Sequence, residues 1–340
     1  MVKLSRRHFL VTGAAAVGAL AAAPFVSRLG SGARVLVIGG GPGGVAAATA
    51  IRAAEPSASV VMIERDPKRL APGAYRSFVS ASRQGGDFAA LAANGIELAI
   101  DDIRGIDWGG RRAEALSGRA FSFDRVVLAP GISMREEGIE GYDRAASIAF
   151  PHGWTDRQGA AELAAQVRAM ADGGTVVIRV PAGRMRFPEG PYRRAGEIAT
   201  YLAEDKPKAR VVMVDESDAT PARRARVAAL AARFGDRFDH LDATAFRRVV
   251  AVDRERRRLI GTNGTVHGDV INFIPAQAAG RIARVSGLAG ADGWCPVAAE
   301  TRRSAMRPDA FLLGDAASVP GLEMGVGDFA AAAEAIAKTV

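Results

Sequence analysis

Residues 34–64, RVLVIGGGPGGVAAATAIRAAEPSASVVMIE, decide the fold. A short apolar run rich in branched residues, 34–39, leads into a glycine-rich turn and then into an alanine-rich stretch typical of a helix. A second branched run, 60–63, ends at Glu64, twenty residues past Gly44. This order predicts a strand, a tight turn, a helix and a parallel strand, which together open a dinucleotide-binding domain.

Each glycine of this turn has a physical task. Gly39 makes the tight turn, Gly41 lets the backbone approach a pyrophosphate, and Gly44 lets the helix pack on the strand. The helix N-terminus adds N–H donors and a positive dipole end for phosphates. Glu64 would accept from both ribose hydroxyls and would repel a 2′-phosphate, which disfavours NADP. The alternative is a turn that serves packing alone, but the strand, the helix and the spaced acid agree on nucleotide binding.

Two later segments resemble those of flavoproteins with two dinucleotide-binding domains. Residues 310–315, AFLLGD, form a predicted strand that ends in a glycine and an aspartate, and the small-residue loop 128–131, LAPG, follows the run RVV. In that superfamily the aspartate binds the ribityl chain of FAD and the next helix points its N-terminus at the flavin. The resemblance therefore implies FAD rather than NAD. The further cofactor-binding candidates that it gives are Pro130, Gly131, Gly314 and Asp315; Met324 is added below by a narrower family resemblance.

The middle of the chain contains a second predicted βαβ unit. Residues 174–180 and 209–215 are predicted strands that flank a helix near 191–205. The loop 181–190, PAGRMRFPEG, has no G-x-G-x-x-G pattern and is bulky where a pyrophosphate would need close approach. We therefore expect that nicotinamide is not the electron donor and that a small molecule reaches the flavin directly.

These segments predict an α/β fold with two dinucleotide-binding (Rossmann-like) domains, of the type found in FAD-dependent pyridine-nucleotide-disulfide reductases. The FAD-binding domain is expected to comprise residues 33–148 and 267–340. The second domain, residues 149–266, is expected to lack a recognisable NAD(P)H site. Residues 1–30 are expected to form an export signal.

The N-terminal segment is similar to a twin-arginine export signal. The motif SRRHFL at 5–10 precedes an uncharged run that extends to Val26. This signal predicts a periplasmic protein, exported after folding with its cofactor in place. Pro24 directly after Ala21–Ala23 is unfavourable for cleavage, so an uncleaved N-terminal anchor is the alternative, and membrane attachment is expected only in that case.

The composition excludes several classes of protein and gives no indication of a nucleic-acid partner. The chain has 340 residues, of which 49% are hydrophobic and 24% charged, and this excludes a disordered, collagenous or polytopic membrane protein. Its formal net charge of +8 does not by itself indicate nucleic acid, and none is expected. The basic runs at 223–226 and 254–258 fit a solvated face and a turn, or else the docking of an acidic protein. The histidines are isolated in sequence, so no metal site is expected.

Stretches over most of the chain after the signal resemble one family, the flavoprotein subunit of flavocytochrome c sulfide dehydrogenase. The matching stretches are VIGGGPGGVAAA at 37–48, APGI at 129–132, IEGYD at 139–143, PHGW at 151–154, MADGGTVVI at 170–178, PEGPYRRA at 188–195, KPKARVVMVD at 206–215, DVINFIPAQAAGRIARVSGL at 269–288, GWCPV at 293–297 and LLGDA at 312–316. The resemblance implies a periplasmic FAD protein that oxidises sulfide or a related sulfur species. A c-type cytochrome would then receive the electrons.

Several positions depart from the family pattern. The family has a redox cysteine where this chain has Phe187, and a flavin-tethering cysteine where it has Ser77, so we expect non-covalent FAD. Near the flavin the family has a methionine followed by a lysine; here the methionine is Met324, a cofactor-binding candidate, and the lysine is replaced within Gly325–Gly327. The family also continues into a further C-terminal domain, whereas the matching stretches in this chain end at Ala316.

Cys295, the single cysteine, is the one catalytic candidate. It would attack or hold sulfur as a persulfide if its pKa were lowered, or it is a buried inert thiol. A dithiol couple is excluded because it needs a second sulfur. The lost features also motivate a different class of function, a non-catalytic flavoprotein that stabilises another sulfur-oxidation protein. Another FAD oxidoreductase is the third alternative.

Overall fold

The computed structural model describes residues 32–67, 76–77, 80–81, 88–135, 137–155, 157–319 and 329–338. Its helices are α1 Pro42–Ala54, α2 Phe88–Ala93, α3 Arg144–Ala149, α4 Arg157–Ala169, α5 Gly190–Asp205, α6 Pro221–Phe234, α7 Arg281–Val285 and α8 Phe329–Ala337, with short 3-10 turns at Gly235–Arg237 and Gly314–Ala316. The predicted export signal and Met324 lie outside the described residues, as does the side chain of Ser77.

The strands fall into two parallel sheets and several small antiparallel ribbons. Their bounds are β1 Arg34–Ile38, β2 Ser59–Glu64, β3 Arg76–Ser77, β4 Ser80–Ala81, β5 Ile96–Ile100, β6 Ile103–Asp107, β7 Arg112–Ala115, β8 Ala120–Ser122, β9 Arg125–Leu128, β10 Ile132–Met134, β11 Thr175–Val180, β12 Arg210–Asp215, β13 Phe238–Leu241, β14 Val249–Asp253, β15 Arg258–Gly261, β16 Gly264–His267, β17 Val270–Phe273, β18 Gln277–Ala279, β19 Cys295–Pro296, β20 Ala310–Leu312 and β21 Ala317–Ser318.

The first sheet has the strand order β20-β9-β1-β2-β5, and every pair in it is parallel. One face packs on α1 and α8, where small residues such as Ala47, Ala48 and Ala333 are buried and let the two helices approach closely. The other face meets the ribbon β6-β7-β8 in a second apolar cluster. Because neighbouring strands are parallel, β1, β9 and β20 present their carboxyl ends at the same edge.

The second sheet has the order β13-β12-β11-β17, again all parallel. Helices α4 and α5 cover one face, with Leu163, Val167, Ile198 and Leu202 buried against the strands. The other face packs against α3 and the ribbon β14-β15-β16. The turn at 254–257 joins β14 to β15, as predicted, and the basic run 223–226 lies on α6.

The two predicted crossings between domains fall at different places in the structure. Strand β17 was assigned by sequence to the returning FAD-binding domain, but it pairs with β11 along Val176–Arg179 and completes the second sheet. At the first crossing, Ala146 and Phe150 already pack in the apolar cluster of the second sheet. The first boundary therefore lies only a few residues before the predicted one, whereas the second was misplaced because strand pairing across about a hundred residues of sequence is not visible in local pattern.

The expected fold class matches the observed architecture of two parallel sheets covered by helices. Within the described ranges, no helix is long and apolar enough to cross a bilayer.

Candidate functional site

Two glycines of the first turn are required by close packing. Gly39 has φ +110°, and a Cβ there would lie 2.2 Å from the carbonyl oxygen of Ala129. A Cβ at Gly44 would lie 1.8 Å from the carbonyl oxygen of Gly39. Because the obstructing atoms are backbone, a side chain at Gly39 would force the β1–α1 turn away from the β9 end, and a side chain at Gly44 would force α1 away from the turn itself.

Three other glycines border open space. No described atom lies within 4 Å of the Cβ position at Gly41, Gly131 or Gly314, and the last two have φ +65° and +77°. A Cβ at Gly43 would lie 3.4 Å from the amide nitrogen of Gly314, so the turn after β20 adjoins the N-terminus of α1. The glycine turn, the Pro130–Gly131 loop and the Gly314–Asp315 turn are therefore brought together at the carboxyl edge of the first sheet.

Glu64 is fixed at the end of β2. Its side chain is buried, Oε2 accepts from the N–H of Gly40 at 2.6 Å, and Oε1 accepts from the N–H of Asp66 at 2.8 Å. A carboxylate offers about four lone-pair sites, so both oxygens keep capacity to accept from a ribose. The hydrogen bond to Gly40 holds this acceptor beside the glycine turn.

The N-terminus of α1 fits a pyrophosphate. Its N-cap is Gly41, which makes no side-chain capping bond, and the first turn has no acidic residue. The leading N–H groups of a helix lack partners within the helix, and they point toward an anion placed there. With Glu64 on one side and the Gly314–Asp315 turn on the other, the residues present fit an extended dinucleotide.

Sequence reasoning missed that the second domain reaches into this site. In the loop 181–189, Arg186 forms an ion pair with Asp315, with Nε 2.9 Å from Oδ2. The guanidinium of Arg184 donates to the hydroxyl of Ser318 on β21. The bulk of this loop was the only local sign of the contact. Residues about 130 positions apart produce no repeating pattern in the sequence when they meet, so the contact itself could not be predicted.

Cys295 is a buried thiol. It lies in the short ladder between β19 and β21, opposite Ala317, and its exposed fraction is 0%. Burial, assisted by the nearby Asp292, raises the pKa of Cys295 to about 12. A nucleophilic cysteine needs a thiolate, so at neutral pH this conformation favours the inert-thiol interpretation.

Phe187 has a distinct local role. It has φ +60°, rare for an aromatic residue. A Cβ at Gly190 would lie 2.7 Å from its ring and 2.5 Å from the ring of Trp154, so both rings pack over the start of α5. This position therefore contributes packing where the family pattern has a sulfur.

The carboxyl edge of the second sheet is filled by side chains. Gly190, Pro191 and Tyr192 at the start of α5 are buried, and the hydroxyl of Tyr192 donates to Asp215 Oδ2 at 2.6 Å. His240 Nε2 lies 3.2 Å from the same oxygen. Burial opposes ionisation of Asp215, but hydrogen bonds from His240, Ser217 and Tyr192 outweigh it and lower its pKa. Side chains thus occupy this edge, and its loop 181–189 has one open glycine, Gly183, instead of the G-x-G-x-x-G turn that the first sheet presents.

A buried charge cluster occupies the same edge. Arg179, with 0% exposed side chain, donates to both carboxylate oxygens of Glu137 at 2.8 Å and to those of Glu216 at 2.6 and 3.1 Å. Its guanidinium also lies 4.7 Å from the ring centroid of Phe273. Burial opposes the charge of Arg179, but the two glutamates outweigh it and raise its pKa.

Segments quoted for the family resemblance interlock in the second domain. The Arg194 guanidinium donates to the carbonyl oxygens of His152 and Gly153 at 2.7 and 2.8 Å. Asn272 donates to the carbonyl oxygen of Pro151 at 2.7 Å and accepts from Arg194 at 2.8 Å. The stretches PHGW, PEGPYRRA and DVINFIP are therefore one hydrogen-bonded unit.

Comparison with known proteins agrees with this architecture. Residues 160–275 match the family model of the sulfide dehydrogenase [flavocytochrome c] flavoprotein chain, central. Residues 33–177 match the pyridine nucleotide-disulphide oxidoreductase model. The resemblance predicted from the sequence is thus confirmed, and the two matches support an FAD-dependent oxidoreductase.

Several solved structures share the fold of this chain. The sulfide:quinone oxidoreductase of Aquifex aeolicus is 18% identical, with a TM-score of 0.69 over 90% of this chain and 76% of that one. A ferredoxin reductase from Rhodopseudomonas palustris is 18% identical, with a TM-score of 0.65 over 90% and 75%. An NAD-dependent persulfide reductase from A. fulgidus is 17% identical, with a TM-score of 0.66 over 90% and 59%. The predicted fold class is confirmed.

Proposed function

We propose that this protein oxidises sulfide or a related sulfur anion with non-covalently bound FAD and passes the electrons to a c-type cytochrome in the periplasm. The observation that carries the proposal is the contrast between the two sheets. The first presents open glycines, a bare helix N-terminus and the fixed carboxylate of Glu64 at its carboxyl edge. The second has that edge filled by Tyr192 and the Arg179 cluster. One nucleotide cofactor fits this arrangement better than two.

The chain's own residues would hold FAD as follows. The N–H groups at the start of α1 bind the pyrophosphate, which comes close because Gly41 has no side chain. Glu64 accepts from the adenine ribose and Asp315 from the ribityl chain. Ser77 stands where the family pattern has a tethering cysteine, which supports non-covalent attachment. When bound, FAD supplies the capacity to accept an electron pair and to release electrons singly.

The substrate class follows from charge. Oxidation of hydrosulfide to zero-valent sulfur releases two electrons and one proton. An anion of this kind is attracted by a basic site, and the loop 181–189 brings the cations of Arg184 and Arg186 to the FAD-binding domain. Because Cys295 is a buried thiol, we propose that the sulfur donor reaches the flavin without a cysteine relay.

The proposed electron acceptor is supported by the surface charge, and the proposed periplasmic location by the N-terminal segment. Helix α6 carries the half-buried Arg223 and the exposed Arg224, and the turn after β14 exposes Arg256. Such basic surfaces favour docking of a partner with an acidic face. The motif SRRHFL at 5–10 supports export by the twin-arginine route.

The test is anaerobic mixing of the purified, FAD-loaded protein with sulfide, followed by addition of oxidised cytochrome c. We expect loss of the oxidised flavin absorbance and then its return as the cytochrome is reduced. The variant Cys295→Ala should behave as the wild type. A flavin band that sulfide leaves unchanged would refute the sulfide proposal.

The burial of Cys295 favours one second candidate, a flavoprotein that stabilises another sulfur-oxidation protein without turnover. Co-purification with such a partner, together with an unreactive flavin, would support this candidate instead. Protein that takes up no FAD at all would refute both.

A further inference from the structure

The loop 181–189 is anchored at several points across the domain boundary. Met185 is buried in the apolar core of the second domain. On its two sides, Arg184 reaches Ser318 and Arg186 reaches Asp315. The alternation of arginine, methionine and arginine thus fixes the loop in one domain and directs two cations at the other.

Arg186 makes contacts on two sides of the FAD cleft. Its Nε lies 2.9 Å from Oδ2 of Asp315, with side-chain exposures of 29% and 17%. Its backbone N–H donates to Oε1 of Gln277 at 2.8 Å. Gln277 lies on β18, which pairs with β10, the strand that directly follows the Pro130–Gly131 loop. Arg186 therefore links the Gly314–Asp315 turn to the strands beside the Pro130–Gly131 loop, the two segments predicted to face the flavin.

Gln277 carries a buried donor that has no partner among the residues the structure describes. Its side chain is 2% exposed, and its Nε2 makes no hydrogen bond among the described residues. A buried amide donor left unpaired costs about 1–3 kcal/mol, so such atoms are rare and usually await a ligand or water. An acceptor atom of a bound flavin would satisfy it.

We propose that Arg186 and Gln277 form the positively polarised side of the flavin site and raise the reduction potential of the bound flavin. This inference rests on the FAD binding of the proposed function but not on the identity of the sulfur donor. Arg186 acts as a positioning residue through Asp315 and as a fixed positive charge, and Gln277 offers its free N–H to the flavin.

The direction in which Arg186 shifts the reduction potential of the flavin follows from the charges involved. The reduced flavin carries more negative charge than the oxidised flavin, so a nearby cation favours reduction and a nearby anion opposes it. Arg186 neutralises Asp315 through Oδ2 and leaves Oδ1 to accept from a ribityl hydroxyl. Removing the guanidinium would remove a cation and also leave the Asp315 carboxylate uncompensated beside the flavin.

The experiment compares FAD-loaded wild type, Arg186→Gln, Arg186→Lys and Gln277→Met by equilibration with a redox dye. For Arg186→Gln we expect the ratio of reduced to oxidised flavin at a fixed dye potential to fall about tenfold, which is about 30 mV for a two-electron couple. Arg186→Lys keeps the charge and should keep most of the potential. Gln277→Met should lower the ratio by a smaller factor.

The matched control is Arg233→Gln, which removes the same charge from the exposed last turn of α6, away from the carboxyl edge of the second sheet. Its flavin should equilibrate as in the wild type. A second readout is thermal unfolding, because a purely structural link between domains would lower the melting temperature and leave the potential unchanged. That outcome, or equal potentials in all variants, would overturn the inference even if every variant binds FAD. A wild-type protein that binds no FAD when it is added in excess would instead refute the proposed function.

Discussion

Replacing Arg179 by methionine should strongly destabilise the second domain. The guanidinium donates five hydrogen bonds, four to the carboxylates of Glu137 and Glu216 and one to the carbonyl oxygen of Ile274. The two glutamate side chains are only 10% and 2% exposed. Removing one partner of a buried ion pair leaves an uncompensated buried charge and costs about 3–5 kcal/mol. That is a large share of a typical domain stability of about 5–15 kcal/mol.

The cost should depend on pH in a direction that the structure determines. In the wild type, burial opposes ionisation of Glu137 but Arg179 outweighs it and lowers its pKa. This stabilisation is present above the unfolded pKa, about 4.3, and is lost as the pH falls through the lower folded value. Without Arg179, burial raises the Glu137 pKa. The penalty in the variant is therefore largest at pH 7 and shrinks as the pH approaches 4.5.

The assay is urea unfolding followed by far-UV circular dichroism and by tryptophan fluorescence, to which Trp154 contributes from the second domain. The matched surface control is Arg104→Met, because the pair Arg104–Glu114 is 61% and 46% exposed and such pairs contribute at most about 1 kcal/mol. The triple variant Arg179→Met, Glu137→Gln, Glu216→Gln should recover much of the loss. A penalty below about 1 kcal/mol for Arg179→Met, equal at pH 7 and pH 5, would refute the argument.

Three further predictions concern the first domain. Gly44→Ala should lower the melting temperature, because its Cβ would lie 1.8 Å from a backbone oxygen. Gly41→Ala should fold normally but lose FAD affinity by about tenfold or more, because its Cβ enters the space expected for the pyrophosphate. Thermal unfolding measures the first effect and FAD titration the second. Glu64→Gln should weaken FAD binding in the same titration, because the amide loses acceptor capacity toward the ribose; unchanged affinity would contradict the role given to Glu64. Cys295 should react with a thiol reagent only at the rate of unfolding, and a fast reaction in native protein would contradict its burial.

The local parts of the structure could be predicted from the sequence because they depend on neighbouring residues. Strand β1, the glycine turn and helix α1 follow from a branched run, a glycine cluster and an alanine stretch within about twenty residues. Helix α5 begins at Gly190, one residue before the predicted start. The roles predicted for Gly39 and Gly44 follow from backbone sterics, and the structure shows the expected close approaches.

Other features depended on pairs of residues far apart in sequence. Strand β17 belongs to the second sheet because of its pairing with β11, and no local pattern distinguishes the two sheets. The cluster around Arg179 combines residues 137, 179 and 216, each of which by itself resembles an ordinary surface charge.

The sequence alone therefore determined the class of fold, the dinucleotide turn and the family resemblance, because each is encoded in short segments with a fixed steric requirement. Only the tertiary structure decided that the second nucleotide edge is filled, that Cys295 is buried, and that Arg186 and Gln277 meet beside Asp315. Burial and ion pairing are properties of surfaces brought together by folding, so they arise only when distant segments pack against each other.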